Sequence, residues 1–343
     1  MVAWDVSLVG DGKMIRFGII GAGRIGKVHA RTIAGNSKAK LAYIADALPQ
    51  AAEGLANAYG AKVASVDEII ASKDVDAVLI GSPTPFHAEQ IIAASNSGKS
   101  IMCEKPVSLD VKTIEETLKV VERNRSTLMI GFNRRFDPNF AELERRVRDG
   151  VIGDVELVTV ISRDPAPPPA LYIAQSGGIF RDMTIHDFDM ARFLMGEEFV
   201  VVSALGAALV DKAIGAAGDV DTVAVQMQTA SGKIAVITNS RRATYGYDQR
   251  MEVHGSKGMI HAKNIHNTTV EVLDAAGYQA DPIQNFFLER YVEAYANELN
   301  SFIAAVESGD RNPKPSGFDG LQAQILAEAA TESWKTGKPV KAK

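Results

Sequence analysis

Apolar and polar positions change rhythm once along this chain, near Arg135. Before it, short apolar runs at Ile15–Ile20, Leu41–Ala45, Ala77–Ile80, Ser100–Cys103 and Leu128–Phe132 alternate with amphipathic stretches at Ile25–Ala34, Gln50–Tyr59, Ala88–Ser97 and Val111–Arg123. The runs read as strands and the stretches as helices. Parallel strands need a crossover connection and antiparallel ones do not, so this alternation predicts a parallel sheet with right-handed crossovers. Beyond Arg135, a helix at Phe140–Arg148 stops at Gly150, Asp154–Ser162 reads as a strand, and the Pro-rich DPAPPP at 164–169 predicts a shaped loop. A helix is expected from Asp182 to Gly196. The strand-like runs Val200–Leu209, Val220–Gln228, Ile234–Ser240, Met251–His254 and Thr269–Leu273 then follow with no helix between them, and helices at Phe287–Glu307 and Phe318–Lys335 close the chain. Such a series predicts a mostly antiparallel sheet. The expected organisation is an α/β domain over 14–132 and an α+β domain over 133–343, without internal repeats.

Composition narrows the classes. A length of 343 residues fits two domains, at about 150 residues each. The single Cys103 forms no internal disulfide, which points to a reducing, cytoplasmic setting. With 37 basic and 42 acidic side chains the net charge is −5, leaving no basic surplus for nucleic acid. The longest apolar run, Phe199–Val210, contains Ser203 and stops at Asp211, short of the roughly 18–20 residues of a bilayer span. The opening MVAWDVSLVGDGK carries Asp5 and Asp11 and lacks the basic start and apolar centre of a signal peptide. It is expected to be a disordered extension ahead of Met14.

The first strand runs into Gly21-Ala-Gly-Arg-Ile-Gly26, where a helix begins. Gly21 permits the tight turn, Gly23 lets backbone approach a diphosphate, and Gly26 lets helix pack on sheet, while the helix start offers N–H groups to the anion. Asp46 ends the second strand twenty residues beyond Gly26, where a carboxylate accepts ribose hydroxyls. These elements predict a Rossmann dinucleotide-binding domain. Asp46 would repel a 2′-phosphate, and Ala47-Leu48-Pro49 brings no compensating base, so NAD is expected over NADP.

Two more segments follow strand ends: Gly81-Ser-Pro-Thr-Pro-Phe-His87 and Cys103-Glu-Lys-Pro106. With the Gly-rich turn, they make the chain resemble the Gfo/Idh/MocA oxidoreductases, NAD(P)-dependent enzymes acting mostly on sugars and polyols, from about Arg16 to the C-terminal helices. The resemblance implies that Arg24, Ile25, Ser82, Thr84, His87 and Glu104 join the cofactor site, and that Lys105 reaches both the nicotinamide ribose and the substrate. An ammonium there would stabilise developing alkoxide charge. In Gly177-Gly-Ile-Phe-Arg-Asp-Met-Thr-Ile-His-Asp187, Asp182 and His186 are four apart, one turn of a helix. A carboxylate so placed orients an imidazole suited to proton removal. Alone, the pair reads more readily as a helix-surface pair; the resemblance sets it opposite Lys105 and makes Lys105, Asp182 and His186 the expected catalytic trio. His186, Asp187 and Asp189 do not share a face with Asp182, so no metal site is expected. His254, His261 and His266 lack ligand spacing and are expected at the surface or in structural hydrogen bonds.

Within the family the resemblance is strongest to the inositol 2-dehydrogenases, through Gly131-Phe-Asn-Arg-Arg-Phe-Asp137, Ser162-Arg-Asp-Pro-Ala-Pro-Pro168, SGGIFRDMTIHDFDMARF at 176–193 and Tyr245-Gly-Tyr-Asp248. It implies that Arg134, Asp164 and Tyr247 line a polyol pocket; without it, Arg134 and Tyr247 read equally as ion-pair or interface residues. Some of those enzymes carry His and Asn where this chain has Ser162 and Asp164, which leaves the inositol isomer, or a sugar such as glucose, open. The implied reaction is hydride transfer from a ring carbinol to nicotinamide, giving a ketose such as 2-keto-myo-inositol. The competing readings are a keto-sugar or imine reductase using NADPH and a non-catalytic nucleotide sensor. Val200–Leu209 and Ile234–Ile237 are too apolar for one wet sheet face, so a homo-oligomer, commonly a tetramer in this family, is expected unless the chain's own helices cover that face.

Overall fold

The alternation before Arg135 becomes a parallel sheet in the computed structural model, which describes residues 14–169, 172, 173 and 176–342. The expected N-terminal extension, 1–13, lies outside the described residues. The chain folds into two units. The first contains residues 14–104, Thr117–Met129 and Leu299–Pro313; the second contains Lys105–Glu116, Ile130–Glu298 and the chain from Lys314 onward. Both units are therefore discontinuous, where the change of rhythm near Arg135 points to one boundary.

The first unit is organised by β1 (Ile15–Ile20), β2 (Ala39–Ala45), β3 (Lys62–Val63), β4 (Ala77–Ile80), β5 (Ser100–Glu104) and the first half of β6 (Leu128–Gly131), in the order β3-β2-β1-β4-β5-β6. β1 pairs in parallel with β2 and β4, β2 with β3, and β4 with β5. The reversal of direction at β1 leaves a crevice outside the carboxyl ends of β1 and β4, where doubly wound sheets hold ligands. β1 and β4 are buried on both faces apart from Arg16, hence their otherwise apolar sequences. Arg16 is tied to Asp76 through Nε at 2.9 Å. Phe17 packs against Phe302 of the C-terminal part of this unit, ring centroids 5.9 Å apart.

The second unit is built on β7 (Val155–Arg163), β8 (Phe199–Ala207), β9 (Thr222–Thr229), β10 (Ile234–Ser240), β11 (Asp248–Gly255), β12 (Gly258–Ala262) and β15 (Val340–Lys341), in the order β12-β11-β7-β10-β9-β8-β15. The sheet is mostly antiparallel, as expected, except that β7 and β10 pair in parallel at its centre. A hairpin of β13 (Glu271–Asp274) and β14 (Gly277–Ala280) stands apart from the sheet. Strands β3, β12, β14 and β15 have no counterpart in the sequence reading, being short or exposed along most of their length.

Two helices expected as single pieces are each broken. Instead of one helix from Asp182 to Gly196 there are two, Ile179–Asp182 and Thr184–Met195. At the junction the Asp182 carbonyl accepts a hydrogen bond from Lys105 Nζ at 2.8 Å, and the His186 N–H takes the Met183 carbonyl at 3.3 Å. A tertiary donor thus occupies the carbonyl that an unbroken helix would give to its own ladder. The expected helix Phe287–Glu307 likewise divides into Phe287–Arg290 and Val292–Ser308, with Tyr291 between them at φ −112° and ψ 21°. A buried ion cluster fixes the helix Thr184–Met195. Arg135 Nη2 lies 2.6 Å from Asp189 and 2.9 Å from Asp319, and Arg192 Nη1 lies 3.4 Å from Asp319. Asp319 also accepts the Ser316 N–H at 2.7 Å in the capping box of the helix Gly317–Thr336.

Candidate active site

In the first unit the Gly-rich turn has the predicted form. Gly21 stands at φ +109°, a conformation that favours glycine. A Cβ on Gly26 would sit 1.9 Å from the Gly21 carbonyl oxygen, whereas one on Gly23 would meet no atom of the described residues within 4 Å, its chain neighbours aside. The turn is closed at Gly26 and open at Gly23, the side on which a diphosphate would approach. Among the described residues no side chain caps the helix Arg24–Ala34, and its first turn holds no acidic residue, so its positive end is not neutralised by its own side chains. Asp46 sits at the end of β2, its Oδ2 accepting the Ala22 N–H at 2.6 Å and its Oδ1 the Leu48 N–H at 2.8 Å. That places the carboxylate against the turn itself.

Beyond β4, Ser82 Oγ donates to Gln90 at 2.7 Å, and buried His87 donates from Nε2 to the Ser82 carbonyl at 2.7 Å. Thr84 opens a short 3-10 turn, Thr84–Phe86. Glu104, at the end of β5, has Oε1 2.7 Å from Nε2 of buried His29 on the helix that starts at the Gly-rich turn. Cys103 is buried in β5, and burial raises its thiol well above the usual range, so it packs and is not a nucleophile.

In the second unit Lys105, Asp182 and His186 come together in an arrangement different from the expected one. No hydrogen bond among the described residues joins Asp182 to His186. Asp182 Oδ1 takes a hydrogen bond from Tyr172 Oη at 3.0 Å and lies 3.6 Å from Lys105 Nζ, and its Oδ2 takes one from Arg241 Nη2 at 3.1 Å. Burial alone would raise the Asp182 carboxyl, but Lys105 and Arg241 outweigh it and hold it below the usual range. His186 packs edge-on against Phe132, and its enclosed Nδ1 has no partner among the described residues. Burial first, then the Lys105 and Arg134 cations, push its imidazole well below the ordinary histidine range, so it is neutral near pH 7.

Arg134 is a buried ion-pair residue. Its guanidinium binds Asp187 through Nη1 and Ser162 Oγ at 3.2 Å through Nη2. Asn239 donates to Asp187 at 2.7 Å and accepts from Thr184 at 2.6 Å, and Ser162 Oγ donates to Gln249 at 3.1 Å. This network pins the helix that bears His186 to β7, β10 and β11. Burial raises the Asp164 carboxyl to about 6 against the pull of Arg241, with Asp182 adding to the rise. Tyr247 is buried, its ring edge-on to Phe286 and Tyr291 with centroids 6.2 and 5.9 Å away.

The family described as "Oxidoreductase family, NAD-binding Rossmann fold" matches residues 15–132, and the GFO/IDH/MocA C-terminal domain matches residues 140–261. The chain belongs to the GFO/IDH/MocA oxidoreductase family. It is 57% identical to an inositol 2-dehydrogenase of Rhizobium meliloti over 93% of this chain and 96% of that protein. A solved myo-inositol dehydrogenase from Corynebacterium glutamicum superposes with a TM-score of 0.92 at 46% identity, covering 96% of this chain and 99% of that one. A scyllo-inositol dehydrogenase from Lactobacillus casei, solved with NAD(H) and scyllo-inositol bound, gives 0.90 at 33% identity with the same coverage.

As a GFO/IDH/MocA oxidoreductase the chain carries an NAD-binding Rossmann domain followed by a domain with a mixed, mostly antiparallel sheet. Sequence reasoning missed Arg241, Tyr172 and Asn239 around its polar cluster. Only the alternation of β10 hinted at two of them: Asn239 is an inward position of that strand, and Arg241 continues the same parity past its end. Among the described residues no group of histidine, cysteine or carboxylate side chains has a metal-binding arrangement. His254 and His261 are exposed, and His266 bonds the Asp281 carbonyl through Nδ1. No helix among the described residues is long and apolar enough to cross a membrane.

Proposed function

We infer that this protein is an NAD-dependent inositol 2-dehydrogenase that oxidises a ring carbinol of myo-inositol to 2-keto-myo-inositol. One observation supports the reading above the others. The Lys105 ammonium, from the Glu-Lys-Pro segment, bonds the Asp182 carbonyl at 2.8 Å, so the two segments expected to hold the chemistry meet. NAD, when bound, accepts the hydride at C4 of its nicotinamide. Gly21, Gly23 and Gly26, with the N–H groups beside Arg24 and Ile25, would receive the diphosphate, and Asp46 the ribose hydroxyls. Ser82, Thr84, His87 and Glu104 would shape the rest of that site.

The chain's own catalytic work would fall to three groups. His186, neutral at working pH, takes the hydroxyl proton. Lys105 stabilises the alkoxide as its charge develops, and Asp182 holds the ammonium in place. Asp164 and Tyr247 would line the polyol pocket, with Arg134 supporting its wall from the ion pair with Asp187. Ser162 and Asp164 stand where some inositol dehydrogenases carry His and Asn, which favours testing scyllo-inositol and glucose beside the myo isomer. A panel of these polyols with NAD and NADP, followed by NADH or NADPH absorbance, tests the reading. Myo-inositol with NAD should be the best pair, with NADP at least roughly tenfold poorer in kcat/KM because Asp46 faces the 2′ position. No turnover of any inositol would remove the proposed activity.

The reading extends to inositol catabolism in the cytoplasm by a homotetramer. One face of the second unit's sheet supports the assembly. Alternate residues of β8, β9 and β10 point away from the core, and Leu205 and Ile234 among them are 72% and 43% exposed. Packing this face on its copy would remove apolar surface from water. Light scattering should give about four times the chain mass; a monomer would defeat the assembly.

A further inference from the structure

We propose that Arg241 is a positioning residue for Asp182, and that Asp182 serves Lys105 and not His186. The inference rests on the dehydrogenase reading for its kinetic consequences, while its geometry stands in the structure. Arg241 lies one residue beyond β10 and is buried. Its backbone is held in place, with its N–H donating to the Asp221 carbonyl at 2.9 Å. The Asp221 carboxylate in turn accepts the N–H groups of Leu209, Val210 and Asp211 at 2.8, 2.9 and 2.9 Å. From this anchor the Arg241 guanidinium reaches Asp182 Oδ2 at 3.1 Å, leaving Oδ1 to Tyr172 and to the flank of Lys105. Both carboxylate oxygens are engaged, and no hydrogen bond among the described residues joins Asp182 to His186.

A buried guanidinium is retained only where it is paired, and a buried carboxylate only where cations hold it ionised. The charged groups that face Asp182 are Lys105 and Arg241, which favour its ionised form, and Asp164 and Asp219, which oppose it. Without Arg241, two acids would face Asp182 with Lys105 as the sole opposing cation. Its carboxylate would then take up a proton more readily and be free to swing from Lys105. Arg241 thus acts on the reaction at one remove, by fixing the carboxylate that flanks the lysine's ammonium.

The test is a double-mutant cycle on the full-length protein with R241Q, R241K, D182N and R241Q/D182N. In myo-inositol oxidation R241Q should lower kcat roughly 10- to 100-fold, the loss of one charge-assisted hydrogen bond, with the KM for NAD unchanged. The acid limb of its kcat/KM profile should move to higher pH, because Asp182 loses a cation that keeps it ionised. R241K should recover most of the rate, and the double variant should be no slower than D182N. Melting temperatures without substrate give an independent reading: the drop caused by R241Q should be smaller by about 2–4 °C in the D182N background. An unshifted pH profile together with additive losses in rate and melting temperature would overturn the proposal. If the unaltered chain oxidises no inositol, the proposed activity fails, and the thermal cycle alone decides whether Arg241 and Asp182 are coupled.

Discussion

His186→Ala is expected to lower kcat for inositol oxidation by roughly 10²–10⁴-fold, the range that a positioned general base supplies. The KM for NAD should stay within about twofold, since the substitution removes a group acting on the proton and not on cofactor binding. Two observations set the size of the effect. The His186 Nδ1 is enclosed without a partner among the described residues, so that nitrogen is not spent on a structural bond. Burial and the neighbouring Lys105 and Arg134 cations keep the ring neutral, so it is ready to accept a proton and the acid limb of the profile should lie below about pH 6.5. The same depression links to stability. In the folded chain His186 resists protonation, while in the unfolded chain it protonates normally below about 6.5. Its contribution to stability is therefore complete above that pH and declines as pH falls below it, and His186→Ala should remove that part of the acid sensitivity. Robust turnover by the variant would take the base role from His186.

Gly26→Ala carries the second large effect. The added Cβ would lie 1.9 Å from the Gly21 carbonyl oxygen and 2.9 Å from its carbon, both rigid backbone atoms. The turn must open to admit it, at a cost of about 1–3 kcal/mol or more for forced overpacking. The N–H groups at the helix start are then displaced from the arrangement that receives a diphosphate. A lowered melting temperature and an NAD Kd raised by at least about 100-fold are expected, the latter equal to about 2.7 kcal/mol. Gly23→Ala separates the two consequences. Its Cβ meets nothing within 4 Å among the described residues beyond its chain neighbours, so melting without cofactor should be unchanged while NAD affinity falls. Equal thermal losses in both variants would mean that the turn's glycines serve the fold alone.

Much of this protein was legible from local pattern. β1, β4 and β10 have the predicted bounds, because each is a short apolar or alternating run between clear breakers. The Gly-rich turn and Asp46 were readable because their roles depend on neighbours close in sequence and on a register common to all such sheets. The separate partners of Asp182 and His186 were not legible, for the opposite reason. Spacing of four promises contact only if the helix is continuous, and Lys105, 77 positions away, takes the carbonyl that continuity needs. Arg134 shows the same limit: its charge was evident, but its commitment to Asp187 comes from burial, which no local pattern states.

The sequence by itself determined the family of folds, the cofactor turn and the list of chemically able side chains, since periodicity and glycine spacing act over a few residues. Only the tertiary structure decided which of those side chains meet. It turned Asp182 toward Lys105, Tyr172 and Arg241, left His186 neutral with a nitrogen unpartnered among the described residues, and spent Arg134 on an ion pair. Those outcomes follow from the cost of burying charge. In a closed interior each ion settles against the partner that best offsets its lost hydration, and that partner is chosen by packing across the fold, not by distance along the chain.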